Sequence, residues 1–210
     1  MTTQAIEISV SGARLQGDLT LPEKVQGLVI FSHGSGSSRK SPRNRFVAAQ
    51  LQKKSLATLL LDLLTEQEDE VYETRFDIDF LSRRLLEVVD WTMRNPSTKG
   101  LHIGLFGAST GAASALRVAG ELGKSVKAVV SRGGRPDLAG DKFLAKVVAP
   151  TLLLVGGLDF GVIELNQAAF EQMNCVKKME IVSGATHLFE EPGKLEEVAQ
   201  LSAEWFEKYL

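Results

Sequence analysis

This 210-residue chain predicts a single α/β domain: eight mostly parallel strands with helices on both faces and no second domain. Two observations predict it. From Gly27 onward, short runs rich in Val, Ile and Leu alternate with longer amphipathic stretches, the pattern of parallel strands buried on both faces. The pentapeptide Gly107-Ala108-Ser109-Thr110-Gly111 then stands directly between an apolar strand-like run and a small-residue helix. A strand is thereby forced into a helix through one very tight turn, which lifts the serine clear of the sheet and needs glycine two residues to either side.

The elements follow in order. Ile6–Val10 and Arg14–Leu21 read as an antiparallel pair joined at Ser11-Gly12. Gly27–Phe31 is a strand, followed by a Gly/Ser loop and a helix near Arg43–Lys53. After the strand Leu56–Leu61 comes an acidic stretch, Glu66–Glu73, read as a solvated loop. Asp77–Arg94 is a helix with Asp77 as N-cap and Ile78, Leu81, Leu85 and Val88 on one face. Leu101–Phe106 is the strand entering the tight turn, and Thr110–Leu122 is the helix leaving it, its Gly111, Ala112, Ala113 and Ala115 allowing close packing beneath the sheet. Val126–Val130, Thr151–Val155 and Val176–Val182 complete the strands, with helices near Val162–Met173 and over Lys194–Leu210; the last carries Leu195, Val198, Trp205, Phe206 and Tyr209 on one stripe. Ser131–Ala149 is too short for a substantial cap, so the sheet edge is expected to be open and roofed only by loops.

Composition narrows the function classes. A net charge of −2 gives no bulk attraction to nucleic acid or an anionic membrane. The N-terminus has neither a basic n-region nor an apolar h-region, and the longest apolar run, Leu56–Leu64, is interrupted by Thr58 and Asp62. One cysteine, Cys175, excludes an internal disulfide, and three scattered histidines offer no metal-ligand spacing. These features read as a cytoplasmic protein with neither nucleic acid nor a membrane as partner; the open, uncapped edge suggests a small-molecule substrate.

Three residues carry the expected chemistry. Ser109 sits on the tight turn, Asp159 follows the strand Thr151–Val155, and His187 follows the strand Val176–Val182. In an open parallel sheet the carboxyl ends of the strands line one edge, so the three converge there. A serine hydroxyl needs a base, which His187 supplies, and Asp159 holds the imidazole in the required tautomer. Backbone donors for an oxyanion are expected at Thr110, after the serine, and at Ser35 in the loop His33-Gly34-Ser35-Gly36, with Gly34 and Gly36 as neighbouring alternatives. Asp159 has a competing reading as the N-cap of the helix near Val162.

With SHGSGSSRKSPRNR, GLFGASTGAA, SRGGRPDLAG, APTLLLVGGLD and GATHLFEEPG in place, the chain resembles the α/β-hydrolase superfamily and, within it, the small dienelactone hydrolase-like branch, from about Ile6 to Leu210. The resemblance implies a cofactor-free hydrolase with Ser109, Asp159 and His187 as its triad. True dienelactone hydrolases carry a cysteine nucleophile where this chain has serine, so their substrate is not carried over. A serine hydrolase of small carboxylic esters, or of thioesters or lactones, is the expected activity.

Two other classes compete. One is a non-catalytic binding module on the same fold. The other is a phosphate-binding loop: Gly34–Ser41, GSGSSRKS, approaches G-x-x-x-x-G-K-[ST], and Leu59–Asp62 resembles the run that ends in a magnesium-binding Asp. Arg39 stands where that loop needs glycine. Arg132 and Arg135 lie at the same sheet edge as possible clamps for an anionic substrate group, against a structural role paired with Asp137 or Asp141. Arg39, Lys40, Arg43 and Arg45 read as a solvated helix face. His102 should lie roughly 20 Å from Ser109 at the far end of its strand, His33 is expected to order the oxyanion loop, and Cys175 to be inert.

Overall fold

A computed structural model describes residues 1–210. The sheet comprises β1 (Thr2–Val10), β2 (Ala13–Leu21), β3 (Gly27–Ser32), β4 (Leu56–Leu61), β5 (His102–Ala108), β6 (Val126–Arg132), β7 (Thr151–Gly156) and β8 (Lys177–Val182). Their spatial order is β1-β2-β4-β3-β5-β6-β7-β8. β1 and β2 form an antiparallel hairpin in register Val10↔Ala13, with Gly12 at φ 80° in the turn. β2 joins β4 antiparallel, and every pairing from β4 to β8 is parallel.

The helices are α1 (Pro42–Lys53), α2 (Glu66–Glu70), α3 (Ile78–Arg94), α4 (Thr110–Leu122), α5 (Asp141–Leu144), α6 (Phe160–Gln172) and α7 (Lys194–Tyr209). Side-chain alternation along the strands divides the interior into two cores. Leu28 and Ile30 of β3 join Leu85 and Val88 of α3, Leu116 of α4 and Ala169 of α6 on one face. Val29 and Phe31 join Val47 and Leu51 of α1 and Val198 and Phe206 of α7 on the other. All six residues of β3, β4 and β7 are buried, as expected for strands covered on both sides. The α3 face and its Asp77 cap are as the sequence indicates, with Phe80 N–H donating to Asp77 Oδ1 at 2.9 Å.

Several local expectations are corrected. The acidic stretch is not a loop: Thr65 and Glu68 form a capping box that starts α2, and a single 3-10 turn, Glu73–Phe76, follows. Reciprocal capping and acidic residues at the positive helix end favour helix over coil there. Helix α6 begins at Phe160, two residues earlier than expected. The segment after β6 contains α5 and a 3-10 turn, Pro136–Ala139, whose Ala139 and Leu144 are buried in the core beside α3 and α4. It forms no cap over the sheet edge. The basic residues after β3 are largely paired: Arg39 with Asp62 and Asp18, Arg45 with Asp18, and Arg43 with Glu190.

Two glycines are required by close approach. A Cβ on Gly107 would lie 2.4 Å from Ala112 Cα, and one on Gly111 would lie 2.2 Å from Ser32 O. The turn between β5 and α4 therefore closes only because these side chains are hydrogen. His33 ties the loop after β3 to the end of β4. Its Nδ1–H donates to Gly34 O at 2.9 Å, and Nε2 accepts from Leu63 N–H at 3.0 Å. Burial pushes its pKa below the ordinary histidine value, so the imidazole is held neutral.

Three outcomes are expected. Gly111→Ala should destabilise the protein by about 1–3 kcal/mol or more. Gly161→Ala, in α6 with nothing within 4 Å of the added Cβ, should be neutral or stabilising by up to about 1 kcal/mol; urea denaturation measures both. For His33, the unfolded chain takes up a proton that the folded chain refuses. Stability should therefore fall as pH drops below about 6.5, with a slope of up to about 1.4 kcal/mol per pH unit. Denaturation curves from pH 7.5 to 5.5 should show that slope reduced in His33→Gln.

Candidate active site

Ser109 joins β5 to α4 at φ 51°, ψ −123°, a backbone conformation that costs a non-glycine residue roughly 1–3 kcal/mol. Neighbouring main chain holds it there. Ser109 N–H donates to Arg132 O at 3.2 Å, and Ser109 O accepts from Ala112 N–H at 3.1 Å and Arg135 N–H at 3.0 Å. The hydroxyl makes no capping bond to α4. Thr110 opens the helix, so its N–H has no intrahelical acceptor. The loop after β3 lies on the elbow: a Cβ on Gly34 would be 3.0 Å from Ser109 Cβ. Ser35 N–H, expected to be an open oxyanion donor, instead donates to the Thr110 hydroxyl at 2.9 Å.

Asp159 and His187 meet. His187 Nδ1 lies 2.6 Å from Asp159 Oδ2; a carboxylate only accepts, so Nδ1 carries a proton, and in the neutral imidazole Nε2 is the acceptor. Asp159 stands at the N-cap position of α6, yet its side chain makes no capping bond. The histidine, not the helix end, takes its carboxylate. Glycine allows the loops to come together: a Cβ on Gly156 would lie 2.5 Å from both Ala185 O and Thr186 O. Leu158 N–H then donates to Ala185 O at 2.9 Å. His187 is 38% exposed against 18% for Asp159, so the imidazole faces the open edge and the carboxylate lies behind it. No hydrogen bond links Ser109 Oγ to His187; the hydrogen bond made by the imidazole is the one to Asp159. In unliganded sites this contact is often long and tightens with substrate.

The loop carrying His187 is closed by contacts that the sequence reading did not single out. Thr186 N–H and Oγ1 both donate to the Glu191 carboxylate, at 3.1 and 2.5 Å, and these bonds hold the Glu191 carboxyl below its usual range. Phe189 is fully buried at φ 58°. Its ring edge is 3.4 Å from where a Cβ on Gly133 would lie, and His187 Cε1 is 3.5 Å from the same point. The aromatic residue two positions after His187 was the available signal.

The remaining candidates separate clearly. Arg135 is paired with Asp137 through two parallel bonds of 2.9 and 2.7 Å, which raise its pKa; its fork is occupied, which corrects the substrate-clamp expectation in favour of the structural role. Arg132 is buried beside Asn44. The phosphate-loop reading fails because Arg39 bonds Asp62 through both its main-chain N–H, at 2.6 Å, and its guanidinium, which occupies the Asp meant for magnesium. His102 is exposed and bonded to Leu210 O at 2.7 Å, at the opposite end of β5 from Ser109. Burial raises the Cys175 thiol pKa, consistent with an unreactive cysteine.

No family model matches the chain. Two curated proteins of Mycobacterium tuberculosis, each named "Putative phosphoribosyl transferase" (MT0597 and Rv0571c), are 51% identical to it over 207 residues. The match covers 99% of this chain but 46% of theirs, so the chain spans about half the length of these relatives. Among solved structures, a dienelactone hydrolase from Anabaena variabilis superposes with a TM-score of 0.97 at 52% identity, covering 100% of this chain and 98% of that one. Est1E from Butyrivibrio proteoclasticus shares the fold, with a TM-score of 0.83, 19% identity and coverage of 97% and 98%. Identity of 52% to the Anabaena protein over the whole chain, with a matching backbone on an eight-stranded sheet, shows that the chain belongs to the dienelactone hydrolase-like branch of the α/β-hydrolase superfamily.

Proposed function

We propose that the protein is a serine hydrolase that cleaves small carboxylic esters through an acyl-enzyme. The observation carrying this reading is the 2.6 Å bond from His187 Nδ1 to Asp159, which leaves Nε2 basic at the sheet edge where Ser109 is held on its strained elbow. In this reading Ser109 Oγ attacks the ester carbonyl carbon while His187 Nε2 takes the hydroxyl proton. The carbonyl oxygen becomes an oxyanion that accepts from Thr110 N–H, and Ser35 N–H turns toward it from the Thr110 hydroxyl or is shared between the two. Collapse breaks the bond to the alcohol oxygen, which leaves with the proton from His187. Water, deprotonated by the same nitrogen, then attacks the acyl carbon and releases the acid and Ser109.

Substrate size follows from the open edge. Leu158, Phe160 and Leu188 flank the acid and the base and are 53%, 69% and 39% exposed. They offer an apolar rim to one side of a small ester. Thioesters and lactones fit the same attack. The dienelactone hydrolase neighbour supports an ester-hydrolase reading; the phosphoribosyl transferase name belongs to proteins of which this chain matches 46%.

Ser109→Ala should abolish ester turnover with unchanged circular dichroism; retained turnover in a folded variant would overturn the assignment. Asp159→Asn, which favours the wrong imidazole tautomer, should lower kcat by about 10⁴-fold with a smaller effect on KM. A fluorophosphonate should label Ser109 stoichiometrically, as read by peptide mass, and His187→Ala should lose the label.

A further inference from the structure

Beside the elbow, on the sheet face covered by α1 and α7, two arginines are packed with too few partners. Arg132 ends β6, opposite Ala108 in register, and its carbonyl accepts the Ser109 N–H. Its side chain shares the face of Ala128 and Val130 and is 7% exposed. Its one hydrogen bond is a long one, 3.5 Å from Nη2 to Asn44 Oδ1 in the first turn of α1, while Nε and Nη1 are buried without partners. Arg43, also in that first turn, presses a like charge on it. Arg43 reaches Glu190 Oε1 at 2.6 Å through Nη1, but its Nε is likewise buried and unpartnered.

The charge balance is therefore incomplete. No carboxylate pairs with Arg132, and the first turn of α1 contains no acidic residue to offset the positive helix end. Burial lowers the Arg132 pKa only to about 10, so the guanidinium stays charged at neutral pH. A buried, unpaired cation with unmet N–H groups is costly to a fold. It is retained where a bound anion completes it.

We infer that Arg132 and Arg43, at the N-terminus of α1, form a subsite for a phosphate group carried by the substrate. The donors favour phosphate over carboxylate because they come from two side chains, Arg132 and Arg43, each with buried N–H groups lacking acceptors; a tetrahedral group with three terminal oxygens accepts from both, whereas one planar carboxylate saturates a single fork. The Arg132 carbonyl accepts the Ser109 N–H, and Glu190 stands three residues after His187 on the same loop, so the subsite borders the elbow and the histidine loop. The Glu190 carboxylate is 61% exposed, and such an ion pair is weak enough to be displaced. In the unliganded protein the Glu190 carboxylate occupies one arm of the Arg43 fork. This deepens the ester-hydrolase reading by naming the substrate class, a phosphorylated ester, but the binding claim stands without it.

The test uses inorganic phosphate on the full-length Ser109→Ala protein, in which turnover plays no part. Calorimetry and thermal shift should show saturable phosphate binding, and acetate at equal ionic strength should bind at least tenfold more weakly. Arg43→Gln and Arg132→Met should each weaken phosphate at least tenfold; if Arg132→Met does not fold, Arg43→Gln decides. Glu190→Gln should tighten it, because the competing carboxylate is gone. In the wild type, phosphate should slow fluorophosphonate labelling of Ser109. The proposal is overturned if phosphate does not saturate, if Arg43→Gln binds it as the parent does, or if acetate binds equally, which would mark a carboxylate site. Phosphate binding in a protein without esterase activity would reject the hydrolase reading while leaving the subsite in place.

Discussion

The positive φ of Ser109 is the constraint on which the site is built. A serine at φ 51° is stable only where its surroundings hold it. Here β6 and the loop after it supply them, through the bonds Ser109 makes to Arg132 and Arg135. The same turn requires α4 to run beneath β3 with almost no clearance, because Gly111 lies against the carbonyl of Ser32. Remove either condition and the serine relaxes into an ordinary strand or helix residue. Placement of Ser109 and packing of the central sheet are thus one structural fact.

A similar economy governs the other two residues. Gly156 lets the chain after β8 cross the end of β7 at backbone contact, and that approach sets the separation of Asp159 and His187. The histidine loop is then closed on itself by Thr186 and Glu191 and anchored beneath by Phe189. His33 performs the matching task for the loop after β3, joining it to the end of β4. Each catalytic candidate sits on a loop, and each loop is tied by main-chain or buried polar contacts to a neighbouring strand. Loops restrained in this way place side chains more reproducibly than exposed ones.

The charges near the site are arranged unevenly. Arg39 and Arg135 are matched by Asp62 and Asp137 and behave as structural pairs. Arg132 has no acid partner and feels the like charge of Arg43, whose own carboxylate partner, Glu190, is exposed. Sequence position does not distinguish these two kinds of arginine, since Arg132 and Arg135 are three residues apart. Their surroundings do: one side chain turns to an aspartate two residues along its own loop, the other enters the core toward α1.

Much of this was legible in the order of residues. Alternation of apolar runs and amphipathic stretches determines a parallel sheet with two covered faces, because buried strands need no polar side. Gly-x-Ser-x-Gly between a strand and a small-residue helix determines the elbow, because no side chain fits at either glycine. Asp159 and His187 were identified from their places after successive strands, because strand ends line one edge. Other features depend on partners distant in the chain. That Asp159 serves His187 rather than the end of α6, that Ser35 N–H meets the Thr110 hydroxyl, and that Arg132 is left without an acid were decided by tertiary structure alone. A hydrogen bond or an unmet charge belongs to a pair of positions in space, and local sequence pattern specifies only which residues arrive at the edge, not which of them will touch.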